Sequence, residues 1–251
     1  MPELLNGQRA LVTGAGRGIG VHIAAELARE GAAVVLAYRR SREGAERAAA
    51  AIRDAGGTAV ALAADLCDET EAGRLVEQTR DALGGLDLLI NNAAGFGPLK
   101  RFDEASWRDI DDEWNAVVKP VFLLTRAALP HLTAQKQGRI VNLAATLLQR
   151  PAPAYGAHAM AKAAVLAFTR TLAREVGPHG ITVNAVSPGM TLTDFSESLP
   201  AALKDEVAAR TPLRRLATPD DVARAVVFFC TPLAAFVTGA NLAPDGGLAV
   251  L

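Results

Sequence analysis

Seven short, largely apolar stretches recur along the chain, at residues 10–12, 33–37, 59–63, 86–90, 140–143, 181–186 and 240–243. Between them lie longer segments of helical period or high alanine content, at 18–30, 42–55, 69–83, 106–135, 156–176, 201–209 and 219–231. A strand that is apolar at every position has both faces covered, and such strands alternating with helices build a parallel sheet. Right-handed crossovers then wind the sheet in both directions, so the pattern predicts an α/β fold with helices on both faces. No repeat or linker divides residues 1–251, which reads as a single domain. Segment 190–216 is the one long insertion between a strand and the last helix, and a loop of that length is expected to cover a ligand.

Composition narrows the class. Half of the 251 residues are hydrophobic and the net charge is −1, with acidic and basic residues interleaved, which argues against nucleic acid or an anionic membrane as partner. Cys67 and Cys230 are far apart and lack the spacing of a disulfide framework or a metal site, so no metal is expected. No window is apolar enough to span a bilayer and no signal segment precedes the first strand, from which a cytoplasmic protein is expected.

The strongest chemical signal follows the first strand: Thr13-Gly14-Ala15-Gly16-Arg17-Gly18-Ile19-Gly20 opens directly onto a helix. Glycines there let backbone approach a pyrophosphate, while the helix N-terminus supplies amides and a positive dipole. The position in a strand–helix–strand series points to a dinucleotide. At the end of the second strand, where a carboxylate would accept ribose hydroxyls, the chain reads Ala37-Tyr38-Arg39-Arg40-Ser41-Arg42. Guanidinium groups and the Ser41 hydroxyl favour a 2′-phosphate, so the expected cofactor is NADP(H), with Arg17 and Arg39 or Arg40 around that phosphate.

A second signal lies on the Ala-rich helix at 156–176. Its internal lysine, Lys162, is preceded by His158 four positions back and Tyr155 seven back. At 100° per residue these three side chains project from nearly one face, which suggests proton chemistry.

Further motifs carry a resemblance that spans almost the whole chain. TGAGRGIG at 13–20, Asp65-Leu66 after the third strand, NNAAG at 91–95, Asn115 in the fourth helix, NAVSPG at 184–189 and DGG at 245–247 are together similar to the short-chain dehydrogenase/reductase family. The resemblance implies a Rossmann-type domain that moves hydride between a nicotinamide and a substrate, paired as a homodimer or homotetramer through the fourth and fifth helices. It implies roles as well: Asp65 and Leu66 near the adenine, Asn92, Ala93 and Ala94 along the cofactor, and Pro188, Gly189, Thr191 and Thr193 near the carboxamide and phosphates.

The family's usual catalytic set is a serine, a tyrosine four residues before a lysine, and an asparagine. Asn115 and Lys162 match, but the tyrosine position holds His158 and the serine position holds Ala145. Tyr155 restores an acid in another register, since Tyr155-x6-Lys162 resembles the spacing of enoyl-thioester reductases in the same superfamily. The first expectation is therefore reduction of an activated C=C bond in a small-molecule or carrier-bound acyl thioester, with Tyr155 as acid and Lys162 on the nicotinamide ribose. The second is a 3-oxoacyl or other carbonyl reductase with His158 as acid, because an imidazole gains and loses its proton near neutrality. The third is a catalytically silent NADP(H)-binding protein. Phe96, Leu147, Leu148, Met190, Phe195 and Leu199 are candidates for an apolar substrate lining, and Arg210, Arg214 and Arg215 for a carrier or coenzyme phosphate.

Overall fold

The computed structural model describes residues 3–95 and 97–249, apart from the side chain of Phe195. Two residues expected in the substrate lining, Phe96 and the Phe195 side chain, thus lie outside the described set.

Strands β1 (Arg9–Thr13), β2 (Ala33–Tyr38), β3 (Ala59–Ala63), β4 (Leu88–Asn91), β5 (Gly138–Leu143), β6 (Ile181–Val186) and β7 (Asn241–Leu242) form one seven-stranded sheet in the order β3-β2-β1-β4-β5-β6-β7. Every pairing is parallel. Helices α1 (Gly18–Arg29), α2 (Arg42–Asp54), α3 (Glu69–Leu83), α4 (Trp107–Gln135), α5 (Gly156–Val176), α6 (Asp194–Glu197), α7 (Ala201–Arg210) and α8 (Pro219–Cys230) complete it.

Strand alternation explains why continuous apolar runs are needed. Val12, Val34 and Leu36 pack on one side with Ile23 and Leu27 of α1 and Val222 and Val226 of α8. Their neighbours Leu11, Val35 and Ala37 face the opposite core, with Leu75 and Val76 of α3, Leu124 and Leu132 of α4, and Leu172 of α5. Each strand thus serves two layers, the Rossmann-type arrangement that the pattern predicts.

A buried polar chain fixes α4 and α5 against the sheet. Asn91 of β4 donates to Thr125 of α4 (3.0 Å) and to Asn142 of β5 (2.8 Å), and Asn142 donates to Thr169 of α5 (2.9 Å). Such a buried network rigidifies the packing, and it holds the C-terminal halves of both helices on the sheet.

Boundaries differ from the sequence reading in identifiable ways. Strand β7 is two residues rather than four, because the Ala240 amide bonds to the Asn184 side chain (3.1 Å) and Pro244 has no N–H to extend the ladder. The 190–216 segment holds two short helices, α6 and α7, where one was expected. The additional one begins at Thr193, whose hydroxyl and Ser196 form a reciprocal cap. Among the described residues no helix is long and apolar enough to cross a membrane.

Candidate active site

Strand order reverses beside β1, which pairs with β2 on one edge and β4 on the other. The loops leaving these strands must diverge, and a crevice opens at their C-terminal ends. Here it is a cleft of about 650 Å³ whose walls include Gly14, Gly16, Arg17, Gly18, Ile19, Arg39, Arg40, Ser41, Asp65, Leu66, Asn92, Ala93, Ala94 and Thr193. Thr13, at the end of β1, ties the crevice together: its hydroxyl accepts from the amides of Asn92 and Ala93 (2.9 Å each) and lies 3.2 Å from the Ile90 carbonyl oxygen.

The glycine-rich turn is shaped for an anion. Gly14 has a φ of +63°, and a Cβ on Gly16 would stand 2.6 Å from the Ser41 carbonyl oxygen, so the turn closes directly onto the end of β2. Helix α1 begins at Arg17 with no side-chain cap and no acidic residue in its first turn. Its leading amides and its dipole are left for a phosphate, which fits the pyrophosphate of a dinucleotide. At the far end Arg39 pairs with Asp65 at 3.6 Å, while Arg40 and Ser41 line the cleft beside it. The Cys67 amide, ahead of Arg39, holds the Asp65 carboxyl below its usual range. Gly20 is not part of the wall; a Cβ there would meet the Gly14 carbonyl oxygen at 2.4 Å, so it serves close packing of α1 on β1.

The proton-bearing residues form a second cluster where α4 crosses α5. Glu113, His158 and Lys162 are 3%, 8% and 5% exposed. His158 Nδ1 lies 2.5 Å from Glu113 Oε1, and the other oxygen of Glu113 accepts the Gly97 amide at 2.9 Å. Lys162 Nζ donates to the Leu143 carbonyl at the end of β5 (2.7 Å). Burial pushes the Lys162 ammonium down to about 8, against the pull of the nearby Glu113 charge. Burial works to raise the Glu113 carboxyl, but the hydrogen bonds from His158 and Gly97, together with the Lys162 charge, outweigh it and keep the group ionised below the usual range.

Tyr155 caps α5 at its N-terminus and is half-buried, one helical turn before His158. It follows Ala154, whose φ of +69° lies in the left-handed region and whose carbonyl accepts the Lys100 amide (3.2 Å). The position of Tyr155 is thus set by a backbone conformation that alanine adopts only at a cost. Ala145 begins a single 3-10 turn, and the Thr146 hydroxyl beside it donates to the Pro188 carbonyl (3.0 Å). Neither residue places a hydroxyl in the role of the missing serine. Gly189 is pressed on Asp245, where a Cβ on Gly189 would approach the Asp245 Cβ to 2.9 Å, and Thr191 donates to the Gly189 carbonyl (3.0 Å).

Asn115 does not join this cluster. Its side-chain amide donates back to the Asp111 carbonyl (2.9 Å), and its own carbonyl accepts the Cys67 thiol (3.3 Å) on the side of the dinucleotide cleft. Glu113, two positions earlier, lies about 200° away around the helix and faces α5 instead. The carboxylate beside Lys162 is therefore the group that sequence reasoning missed. One signal was available: an acidic residue within the α4 stripe that continues to the buried Val117 and Val121.

The expected phosphate-binding arginines of the insertion are engaged locally, Arg215 with Asp221 (2.5 Å), Arg210 with Glu206 (3.2 Å) and Arg214 with the Ala209 carbonyl. Leu148 packs on a small core cluster of Ala144, Leu166 and Ala185. Leu147, Met190 and Leu199 are half-buried. Among the described residues no group of three or more His, Cys, Asp or Glu side chains could hold a metal.

A doubly wound parallel sheet with a phosphate-shaped turn at its switch point, and a buried lysine on the helix after β5, defines a nucleotide-dependent oxidoreductase class. The chain belongs to the short-chain dehydrogenase/reductase family of oxidoreductases. The family model described as enoyl-(acyl carrier protein) reductase matches residues 14–249. A 3-oxoacyl-(acyl carrier protein) reductase of Synechocystis is 37% identical over 249 residues, covering 97% of this chain and 98% of that one. The protein of the same description from Pseudomonas aeruginosa is 37% identical over 248 residues, with coverage of 97% and 98%. Among solved structures, a short-chain dehydrogenase of Burkholderia cenocepacia in complex with NADP is 39% identical with a TM-score of 0.90, covering 98% of this chain and 99% of that one. A short-chain dehydrogenase/reductase of Serratia marcescens is 34% identical with a TM-score of 0.91, covering 98% and 100%.

Proposed function

We propose that the protein is an NADP(H)-dependent reductase of a carbonyl in an acyl thioester, a 3-oxoacyl group, with His158 as the acid. The observation that carries this reading is the 2.5 Å contact between His158 and the buried carboxylate of Glu113, one helical turn from Lys162. A histidine so placed is held for proton transfer, whereas an idle pocket residue would have no need of a buried carboxylate. The names of relatives 37% identical over nearly the full chain support the substrate class.

NADPH, when bound, supplies a hydride to the carbonyl carbon. The carbonyl electron pair moves to oxygen, and His158 delivers a proton there, so ketone, NADPH and one proton become alcohol and NADP+. Lys162 would hold the nicotinamide ribose hydroxyls. The first turn of α1 would hold the pyrophosphate, Arg40 and Ser41 with Arg17 would take the 2′-phosphate, and Asp65, Leu66 and Asn92 to Ala94 would line the adenosine and its link to the nicotinamide. Pro188, Gly189, Thr191 and Thr193 border the nicotinamide end, and the 190–216 segment covers the substrate. Exposed Trp107, Trp114 and Phe122 on α4, with Met160 on α5, support a homo-oligomer joined through these helices.

A second reading is favoured by Tyr155, seven residues before Lys162 at the start of α5, and by the description of the matching family model. There Tyr155 protonates the enolate formed when hydride reaches the β-carbon of an enoyl thioester. NADPH oxidation with acetoacetyl and crotonyl thioesters separates the two. Turnover of the acetoacetyl thioester supports the ketone reading, and turnover of the crotonyl thioester alone overturns it. Binding of NADPH with no turnover of either supports the catalytically silent alternative.

A further inference from the structure

We propose that Glu113 is a positioning residue that fixes which nitrogen of His158 carries the proton, and so sets the turnover of this site. The inference rests on the reading of His158 as acid and names what makes a histidine usable there. Ala145 has no donor, the Thr146 hydroxyl bonds to Pro188, and the Asn115 side chain bonds to Asp111 within its own helix.

The geometry is restrictive. An ionised carboxylate only accepts, so at 2.5 Å from Glu113 Oε1 the Nδ1 of His158 must carry a hydrogen. The carboxylate cannot swing away, because its second oxygen receives the Gly97 amide (2.9 Å) and the side chain is buried between helices. Glu113 therefore couples three elements: the loop that leaves the dinucleotide cleft, through Gly97; the acid on α5, through His158; and Lys162, through its charge. With its hydrogen fixed on Nδ1, the ring presents Nε2 as the atom that exchanges a proton.

Glu113→Gln tests it with almost no change of shape. The Gly97 amide still requires an oxygen, so the new carboxamide keeps its oxygen there and turns its NH2 toward His158. Nδ1 must then accept, and the ring proton moves to Nε2. The chain has four histidines, so 15N-histidine labelling of the NADP+-bound protein gives few signals, and His158→Phe assigns the one needed. The expected result is a protonated Nδ1 in the parent protein and an unprotonated Nδ1 in Glu113→Gln. With acetoacetyl thioester, kcat should fall about 100-fold while KM changes little, the size of a lost acid–base contribution. Glu113→Asp keeps the charge and the Nδ1 proton and should recover part of kcat, which also serves if the glutamine variant does not fold. An unprotonated Nδ1 in the parent protein, the same Nδ1 state in parent and Glu113→Gln, or unchanged kcat after the switch overturns the proposal. Absence of ketone turnover in the parent protein would instead overturn the reading of His158 as acid, and the NMR signals would still report whether Glu113 sets the tautomer.

Discussion

Glu113 of α4 and His158 of α5 meet at 2.5 Å inside the helix pair, and the same carboxylate receives the Gly97 amide from the loop beyond β4. The contact thereby ties the helix crossing to the loop that follows the central strand β4.

Lys162 gives the site a pH dependence of definite sign. Its ammonium is lowered from 10.5 to about 8 by burial, so it is charged below that value and neutral above it. NADPH affinity, measured by fluorescence titration, should weaken as pH rises through about 8, because the charged donor to the ribose is lost. Lys162→Met should bind weakly at every pH and show no step there. A parent protein with flat affinity from pH 7 to about 9 would contradict this.

Cofactor choice should depend on Arg40. Arg39 already pairs with Asp65 at 3.6 Å, which leaves Arg40 with Ser41 as the main contacts for a 2′-phosphate. Arg40→Ala should raise the Kd for NADPH about tenfold, the worth of one charge-assisted hydrogen bond, and leave NADH nearly unchanged. Equal losses for both cofactors would place the 2′-phosphate elsewhere.

Asn142 should matter to stability although it touches no ligand. Asn142→Leu leaves the Asn91 amide and the Thr169 hydroxyl each without one partner in the core. A loss of about 2–4 kcal/mol in urea unfolding is expected from these buried polar groups. A loss below about 1 kcal/mol would mean the network re-forms around the substitution.

The exposed α4 aromatics should be covered in solution. Trp114→Asp is expected to shift the elution volume in size-exclusion chromatography toward a smaller species, since a charge in an apolar interface is poorly tolerated. An unchanged volume would remove α4 from the contact.

Much of this was legible in the sequence, for physical reasons. Continuous apolar strands specify a sheet buried on both faces, and the glycines at 14, 16 and 18 are required by backbone geometry, so both can be read locally. His158 and Lys162 share a buried face of α5 as the helix period predicts, while Tyr155 stands at the N-cap just outside the helix. Glu113 could not be read in this way. Its meaning depends on how α4 packs on α5, and no spacing within one segment records a contact between residues 113 and 158. The same limit applies to Asn115, whose side chain the helix turns toward the Asp111 carbonyl while its own carbonyl accepts the Cys67 thiol.

The decisive comparison is kcat for acetoacetyl-thioester reduction in the parent protein, His158→Ala and Tyr155→Phe, at saturating NADPH. If His158 is the acid, His158→Ala should lose at least about 100-fold, while Tyr155→Phe stays within a few-fold of the parent. The reverse pattern, with turnover lost in Tyr155→Phe and kept in His158→Ala, would move the acid to Tyr155 and contradict the proposed role of the Glu113–His158 pair.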